Sequence, residues 1–447
     1  MIKNRVFRVM FRFISACAAL FIILLSICVG YFFIVVAPCN QAAQRQADLF
    51  LTLKGPARRV AIFDAATRII EAQYYDHRFT GLNWPLLRSQ SRVRAEQAED
   101  DFHLYWDVLV PLAMAFPASH MGFTMPASAP VVASPRNGKT ETTPECEFDA
   151  GGVTLTSIQR KTGRFLMVAE VTPESPAAQA GVVPGWPVQV YSVQHDGNSL
   201  KNTITVHPLN SVQQHDFGVT GEGATVPASR DNIRQEHKIS APSLTITFRS
   251  TCHAPQSLFE SRRLPDGPLY IRFDKFDALE TNKVAAALHA ADQRGVIIDL
   301  RFNTGGKPAL LLNQIMPRGA ELYREKRSSG PKMVRADYWT HRYTGKIVVL
   351  IGPASKSAAE VVPWVLQHAG KALLLGRPTG GAVLGAGFFP LPDGGVAEVA
   401  VEDIEMLDGS HLEGKGVRPD VEVYPAPEDV RSGKDAALEA AIHALGF

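Results

Sequence analysis

Three short stretches hold residue types able to do acyl-transfer chemistry. The first runs from Gly345 to Gly387, GKIVVLIGPASKSAAEVVPWVLQHAGKALLLGRPTGGAVLGAG. The apolar run 347–351 reads as a strand ending in a Gly-Pro turn signal. A helical pattern follows from about Ser357 to His368, with Pro363 expected to kink it. A second apolar run over 372–375 leads into a Gly-rich loop at 376–387. Ser357 thus falls where strand gives way to helix. Free backbone N–H groups and the helix dipole favour negative charge there. That suits a nucleophile whose attack creates an oxyanion. The competing reading is a plain N-cap, since Glu360 three residues on completes a capping-box pattern. The second stretch, AFPASHMGF, puts Ser119-His120 directly after a helix stopped by Pro117. An imidazole there is a general base or a structural histidine. The third, RFNTGG, is a Gly-rich turn after the apolar run 295–300. Exposed amides at Gly305 or Gly306 would give an oxyanion a second donor, or form only a turn.

These stretches need elements to hold them. From Asn40 to about Phe116 the pattern is mostly helical, with Val60, Phe63, Ile69 and Ile70 at apolar spacing. FTGLNWPLLR (79–88) reads as a turn-rich insert. A second helix is expected over about 96–115, with Phe102, Tyr105, Trp106, Leu109 and Leu112 recurring. From Asp266 the chain alternates: a strand within 267–276, a helix over 281–291, a buried-type strand over 295–300. Such alternation favours a layered α/β core.

With 447 residues the chain has room for two or three domains, and 46% hydrophobic content allows large cores. A net charge of +2 points to neither nucleic acid nor an acidic partner. There is no CxxC, no His/Cys cluster at zinc spacing and no HExxH.

Lys3, Arg5, Arg8 and Arg12, in a basic tail over 1–12, precede an apolar run over 13–36. As a helix that run would be about 36 Å long, enough to span a bilayer. Residues 13–37 are therefore expected to be a transmembrane anchor, with a cleaved signal ending near Ala42 as the alternative. The basic flank predicts a cytoplasmic amino terminus and an exported remainder, periplasmic in a bacterium. Export permits disulfides. A Cys146–Cys252 bridge would close a long loop, worth roughly 4–5 kcal/mol by loop entropy; two unpaired buried cysteines are the alternative.

Residues 148–250 have a different character. FDAGGVTLTSIQ and GRFLMVAEVT read as paired strands. In PESPAAQAGVVPGWPVQVYSV, Pro176-Ala177 starts a short helix, Gly181 ends it and Pro184-Gly185 turns into a strand. The stretch resembles a PDZ domain in its SPA-x-x-AG-x-x-PG signature, and the domain is placed at 146–252. Such domains bind extended C-terminal peptides by strand addition. The resemblance implies Gly151, Gly152, Val153 and Thr154 as the carboxylate-binding loop. The polar stretch 198–240 reads as a long insertion.

Five blocks in order resemble the carboxyl-terminal-processing (tail-specific) serine protease family. They are FTGLNW with ASHMGF, the PDZ block, GVIIDLRFNTGG, SKSAAEVVPWVLQHAGKALLLGRPTGG, and LPDGG with LEGKGVRPDVEV. One branch of that family pairs its serine with a lysine in the Gly-rich loop; the matching position here is Ala382. The other branch, the tricorn-core-like one, uses serine, histidine, a serine beside the histidine, and a late glutamate. The positions that match it are Ser357, His120, Ser119 and Glu413, with Glu402 and Glu405 as nearby competitors for the glutamate and Lys356 as a rival base. The resemblance implies an α/β crotonase-like protease core at 256–447 and an N-terminal helical segment at 40–130 carrying Ser119-His120. It implies an inserted PDZ-like β-rich domain, with the transmembrane helix ahead of all three. Ala358 with Gly305 or Gly306 would hold the oxyanion. The activity implied is a serine endopeptidase working through an acyl-enzyme on Ser357 without metal or organic cofactor, on proteins or peptides chosen by their free C-termini. A catalytically inactive PDZ-bearing binding protein, or a self-processing zymogen gated by its PDZ domain, are the rival readings.

Overall fold

The computed structural model describes residues 49–126, 147–148, 152–160, 163–173, 175–196, 199–206, 244–250, 252–253, 259–265, 267–291, 294–327, 329–337 and 342–447. The basic tail 1–12, the expected anchor 13–37, Cys146, Gly151 and residues 207–240 of the expected insertion lie outside the described residues. Among the described residues no helix is long and apolar enough to cross a membrane.

Helix α1 (Gly55–Gln73) buries Ile62, Phe63, Ala66 and Ile70 on one face. The stretch expected as a turn-rich insert instead opens helix α2 (Trp84–Gln97). Its cause is local: the Asn83 side chain accepts the Leu86 N–H at 3.3 Å, and Pro85 sits in the first turn, where its missing N–H costs nothing. The single helix expected over 96–115 is broken. Asp100 caps a new start by accepting the His103 N–H at 2.9 Å, wide π-type turns follow over Leu104–Leu109, and α3 (Val110–Met114) ends the run. Phe102 and Trp106, spaced as if for a core, remain about half exposed (50% and 54%). After α3 the chain presents Ser119-His120 and enters strand β1 (Gly122–Thr124).

The middle region is made of strands. β2 (Val153–Arg160) and β3 (Gly163–Val171) form an antiparallel pair. Short helix α4 (Pro176–Gln179) is capped by Ser175, which accepts the Ala178 N–H at 3.1 Å, and Gly181 after it takes φ 80°. β4 (Val188–Asp196), β5 (Ser199–Val206) and β6 (Leu244–Ser250) form an antiparallel meander. A small cluster of Val168, Val171, Ala177, Val182 and Trp186 is its core. Cys252 pairs in register with Phe148.

The remainder is α/β. β7 (Phe259–Arg263) and β8 (Leu269–Phe273) lead to α5 (Ala278–Ala290), which Asp277 caps by accepting the Glu280 N–H at 2.8 Å. β9 (Val296–Asp299) and α6 (Ala309–Ile315) follow, then the hairpin of β10 (Glu321–Arg327) and β11 (Gly330–Arg335). β12 (Ile347–Ile351), α7 (Ala358–His368) and β13 (Leu373–Gly376) come next, then β14 (Gly385–Pro390) and β15 (Val396–Glu405). β16 (Val421–Glu422), α8 (Pro427–Ser432) and α9 (Ala436–Leu445) finish the fold.

Two sheets result. The six-stranded one has the order β16-β13-β12-β9-β8-β7, parallel throughout except for β7. Its residues alternate between two cores. Ile298, Val349 and Ile351 face α5, α6 and α7, while Ile297, Val348 and Leu350 face Ala437, Ala441 and Leu445 of α9. Burial on both faces explains the unbroken apolar runs in β9 and β12. In the second sheet β15 is the central strand, with β1 and β10 along one side and β14 on the other. The helical segment packs on it through Ile62, Tyr105 and Leu109 against Ala397, Val399 and Ala400.

Candidate active site

Ser357 stands where β12 hands over to α7, at the N-terminus of that helix. The turn before it is pinned. Ser355 Oγ donates to the Leu300 carbonyl at 2.8 Å and accepts the Gly352 N–H at 3.0 Å. The Lys356 N–H donates to Asn303 O at 3.1 Å, and the Ser357 N–H to Ala382 O at 2.8 Å. These bonds hold Ser357 at φ 54°, ψ −117°, a conformation that L side chains rarely take. Its side chain makes no cap hydrogen bond, so the capping-box reading fails. Glu360, the other half of that pattern, points elsewhere: its carboxylate accepts Thr379 Oγ1 and the N–H groups of Gly381 and Ala382, both at 2.7 Å. Burial pushes Glu360 up to about 7, while the Thr379, Ala382 and Gly381 donors pull it down. α7 continues to His368 through Pro363.

The Asn303–Gly306 turn lies against the serine. A Cβ built on Gly305 would stand 2.6 Å from Ser357 Cβ and 3.2 Å from its Oγ, so only glycine fits there, at φ 104°. Asn303 is the buried hub of the turn. Its Nδ2 donates to Phe273 O and its Oδ1 accepts the Gly305 N–H, both at 2.9 Å. The Gly305 amide is therefore already spent, which corrects its expected place among the oxyanion donors. The N–H groups of Ala358, at the start of α7, and of Gly306 carry no hydrogen bond among the described residues.

The loop after Ala382 connects the serine to the helical segment. Glu413 accepts the Val383 N–H at 2.9 Å and, on the same oxygen, Ser119 Oγ at 2.9 Å. Its other oxygen accepts the Ser119 N–H at 2.6 Å. Burial raises the Glu413 carboxyl above its usual range, against the pull of these donors and of His120. The competitors go elsewhere: Glu402 pairs with Arg327 at 2.6 Å, and Glu405 with Arg324 at 2.8 Å. His120, next to Ser119, takes φ 57°. The expected relay has Ser119 and Glu413 orienting the imidazole, but the atom on His120 Nδ1 is Glu398 Oε1, at 2.8 Å. His120 Nε2 is buried and has no hydrogen-bond partner among the described residues. Sequence reasoning missed Glu398, which looks like one more polar residue in an alternating strand.

Elsewhere, Gly152 takes φ 82° and accepts the Thr172 N–H at 2.7 Å. Val153 and Thr154 begin β2, buried and exposed respectively. One side chain joins this region to the site's loop. Arg377, two residues before Thr379, donates from Nη2 to Ala169 O in β3 at 3.2 Å. Burial lowers this guanidinium to about 10.

A buried imidazole nitrogen, a strained serine at a helix N-terminus and two uncommitted amides make a site suited to acyl transfer. Comparison with known proteins agrees with that chemistry. Residues 268–423 match the model of Peptidase family S41. The carboxyl-terminal-processing protease of Synechocystis sp. is 24% identical over 399 residues, 85% of this chain and 84% of that protein. The tricorn protease of Thermoplasma acidophilum is 30% identical over 163 residues, 35% of this chain, and the chain spans only 15% of its length. Among solved structures, the photosystem II D1 C-terminal processing protease superposes with a TM-score of 0.54 at 20% identity, covering 87% of this chain and 97% of that one.

Proposed function

We propose that this chain is a serine endopeptidase using Ser357 as nucleophile and His120 as base, a reading supported by the match of residues 268–423 to the model of Peptidase family S41. Ser357 Oγ attacks the scissile carbonyl and passes its proton to His120 Nε2. The oxyanion is held by the N–H groups of Ala358 and Gly306. The imidazolium returns its proton to the leaving amine, and water then clears the acyl-enzyme by the same route. With Ala382 where the other branch would need a lysine, the histidine arrangement is the one these residues can run.

One observation carries this reading: a continuous chain of contacts gathers the two segments. Ser357 N–H bonds Ala382 O, the next residue's N–H bonds Glu413, and Glu413 bonds Ser119 beside His120. The strand pair 153–171, the short helix 176–179 and the meander after it support the PDZ-like assignment. We extend the reading to substrate selection by free C-termini at Gly152, Val153 and Thr154. The basic flank and apolar run at the amino end support a tether holding the catalytic part outside the cytoplasm.

The test is hydrolysis of an unfolded protein, with products identified by mass spectrometry. Ser357→Ala and His120→Ala should each lower kcat/KM by at least about 10³-fold. Equal cleavage by Ser357→Ala and the parent would end this reading. Retained binding of C-terminal peptides with no cleavage by any form would favour the inactive binding protein.

A further inference from the structure

We propose that Glu398, not Glu413, is the charge partner of the catalytic imidazole, and that Glu413 holds the scaffold around it. The inference rests on the reading of His120 as base and deepens it. Glu398 lies on β15 directly opposite Gly122 of β1, so the register of one strand pair sets it two residues from His120. Gly122 adds no side chain: a Cβ there would stand 3.6 Å from Glu398 Oε2, so the carboxylate lies over the bare backbone. The positive φ of His120 turns its ring toward that strand, and Nδ1 meets Glu398 Oε1 at 2.8 Å.

A carboxylate in contact with Nδ1 accepts a hydrogen bond, so the proton of the neutral ring sits on Nδ1. The lone pair is then on Nε2, the buried nitrogen with no partner. Fixing the tautomer and stabilising the imidazolium is what the third member of a triad does. Glu413 is occupied otherwise. Its two oxygens take the Ser119 N–H and Oγ and the N–H of Val383, with the Leu384 N–H at 3.4 Å. Those bonds tie loop to loop and leave the imidazole to Glu398. The charged groups that face His120 are thus Glu398 from β15 and Glu413 from the turn beyond it, the latter through its charge without a hydrogen bond. Glu398 is a positioning residue, since it acts on substrate only through His120.

Two readouts on the full chain test this. The first is kcat and KM against pH on an unfolded protein substrate, for the parent, Glu398→Gln, Glu398→Asp and Glu413→Gln. The expected result for Glu398→Gln is a fall in kcat of about a hundredfold or more with KM unchanged. Glu398→Asp should recover part of the rate. Glu413→Gln should instead lower the melting temperature. The second readout is nitrogen-15 NMR of histidine-labelled protein, with the His120 signal assigned by its absence in His120→Ala. The parent should show the Nδ1-protonated tautomer, and Glu398→Gln should shift the tautomer. The proposal is overturned if Glu398→Gln leaves the tautomer and kcat unmoved, or if Glu413→Gln shifts the tautomer and Glu398→Gln does not. A parent that cleaves nothing, with the NMR response as expected, would sink the peptidase reading and leave only the pairing of Glu398 with His120 standing.

Discussion

Strands β9 and β2 are both extended and both paired, but they are held in different ways. β9 lies inside a six-stranded, mostly parallel sheet, with Ile297 and Ile298 fully buried in separate cores on its two faces. β2 belongs to a two-stranded pair over a small cluster. Part of that cluster is borrowed: Val430 of α8 packs into it from beyond the α/β core, and Arg377 reaches across to Ala169. The site is built where the first kind of support is available. Ser357 and Asn303 lie in the turns that leave the ends of β12 and β9, so two strands packed on both faces aim the loops that meet there. The middle region leans on that core through Val430 and Arg377.

The contrast is broken most severely at the point where the two loops touch. Gly305→Ala would drive a Cβ to 2.6 Å from Ser357 Cβ and put alanine at φ 104°. We expect hydrolysis to fall by more than about a hundredfold, since misplacement of about 1 Å costs that much. Thermal melting and a kcat measurement together check this; near-parental kcat would mean the two loops are not rigidly coupled. Next in size is a paired truncation. Ile298→Ala should cost about 2–5 kcal/mol in chemical denaturation. Val182→Ala in the middle cluster removes two methyl groups and should cost less, about 1–2 kcal/mol at roughly 0.8 per carbon plus a small cavity. Hydrogen exchange should show its loosening confined to the middle strands. Equal and global losses from both would mean that the two regions unfold as one.

The smallest effect sharpens the comparison inside the core itself. Burial holds the folded-state carboxyl of Glu360 near about 7, above its ordinary 4.5. The stability this contributes is fully present below about 4.5 and lost as pH rises through about 7, because the folded state keeps a proton that the unfolded state has released. Denaturation midpoints of the parent, referenced to Glu360→Gln, should therefore decline across that window. A flat difference would place the carboxylate in an environment far more polar than its burial implies.

Much of this was legible in the sequence, because the physics was local. Unbroken apolar runs announced β9 and β12, and Gly-Pro followed by Ser with a helical pattern announced the strand–turn–helix. Asp277 and Ser175 proved to be N-caps, and the first moved the helix expected from 281 back to Ala278. What escaped was long-range or competitive. Glu360 has the spacing of a capping box, but the Thr379–Ala382 loop offers it better donors. The Gly305 amide looked free until its neighbour Asn303 turned back to take it. Helix α2 hid behind Trp-Pro and Gly residues that read as turn chemistry. Glu398 could be found only through the pairing of β1 with β15, and no window of residues contains both strands.

Ser357 and His120 share a further property: each holds a non-glycine backbone at positive φ, 54° and 57°. Such positions cost on the order of 1–3 kcal/mol apiece and persist only where the surroundings enforce them. Chemistry and firmness are therefore in opposition at the two residues proposed as nucleophile and base. In a duplicated copy released from the need to cut, replacement of either by glycine would relieve the backbone while silencing the site. Descent from enzyme to inactive, ligand-holding relative is an energetically downhill path on this scaffold.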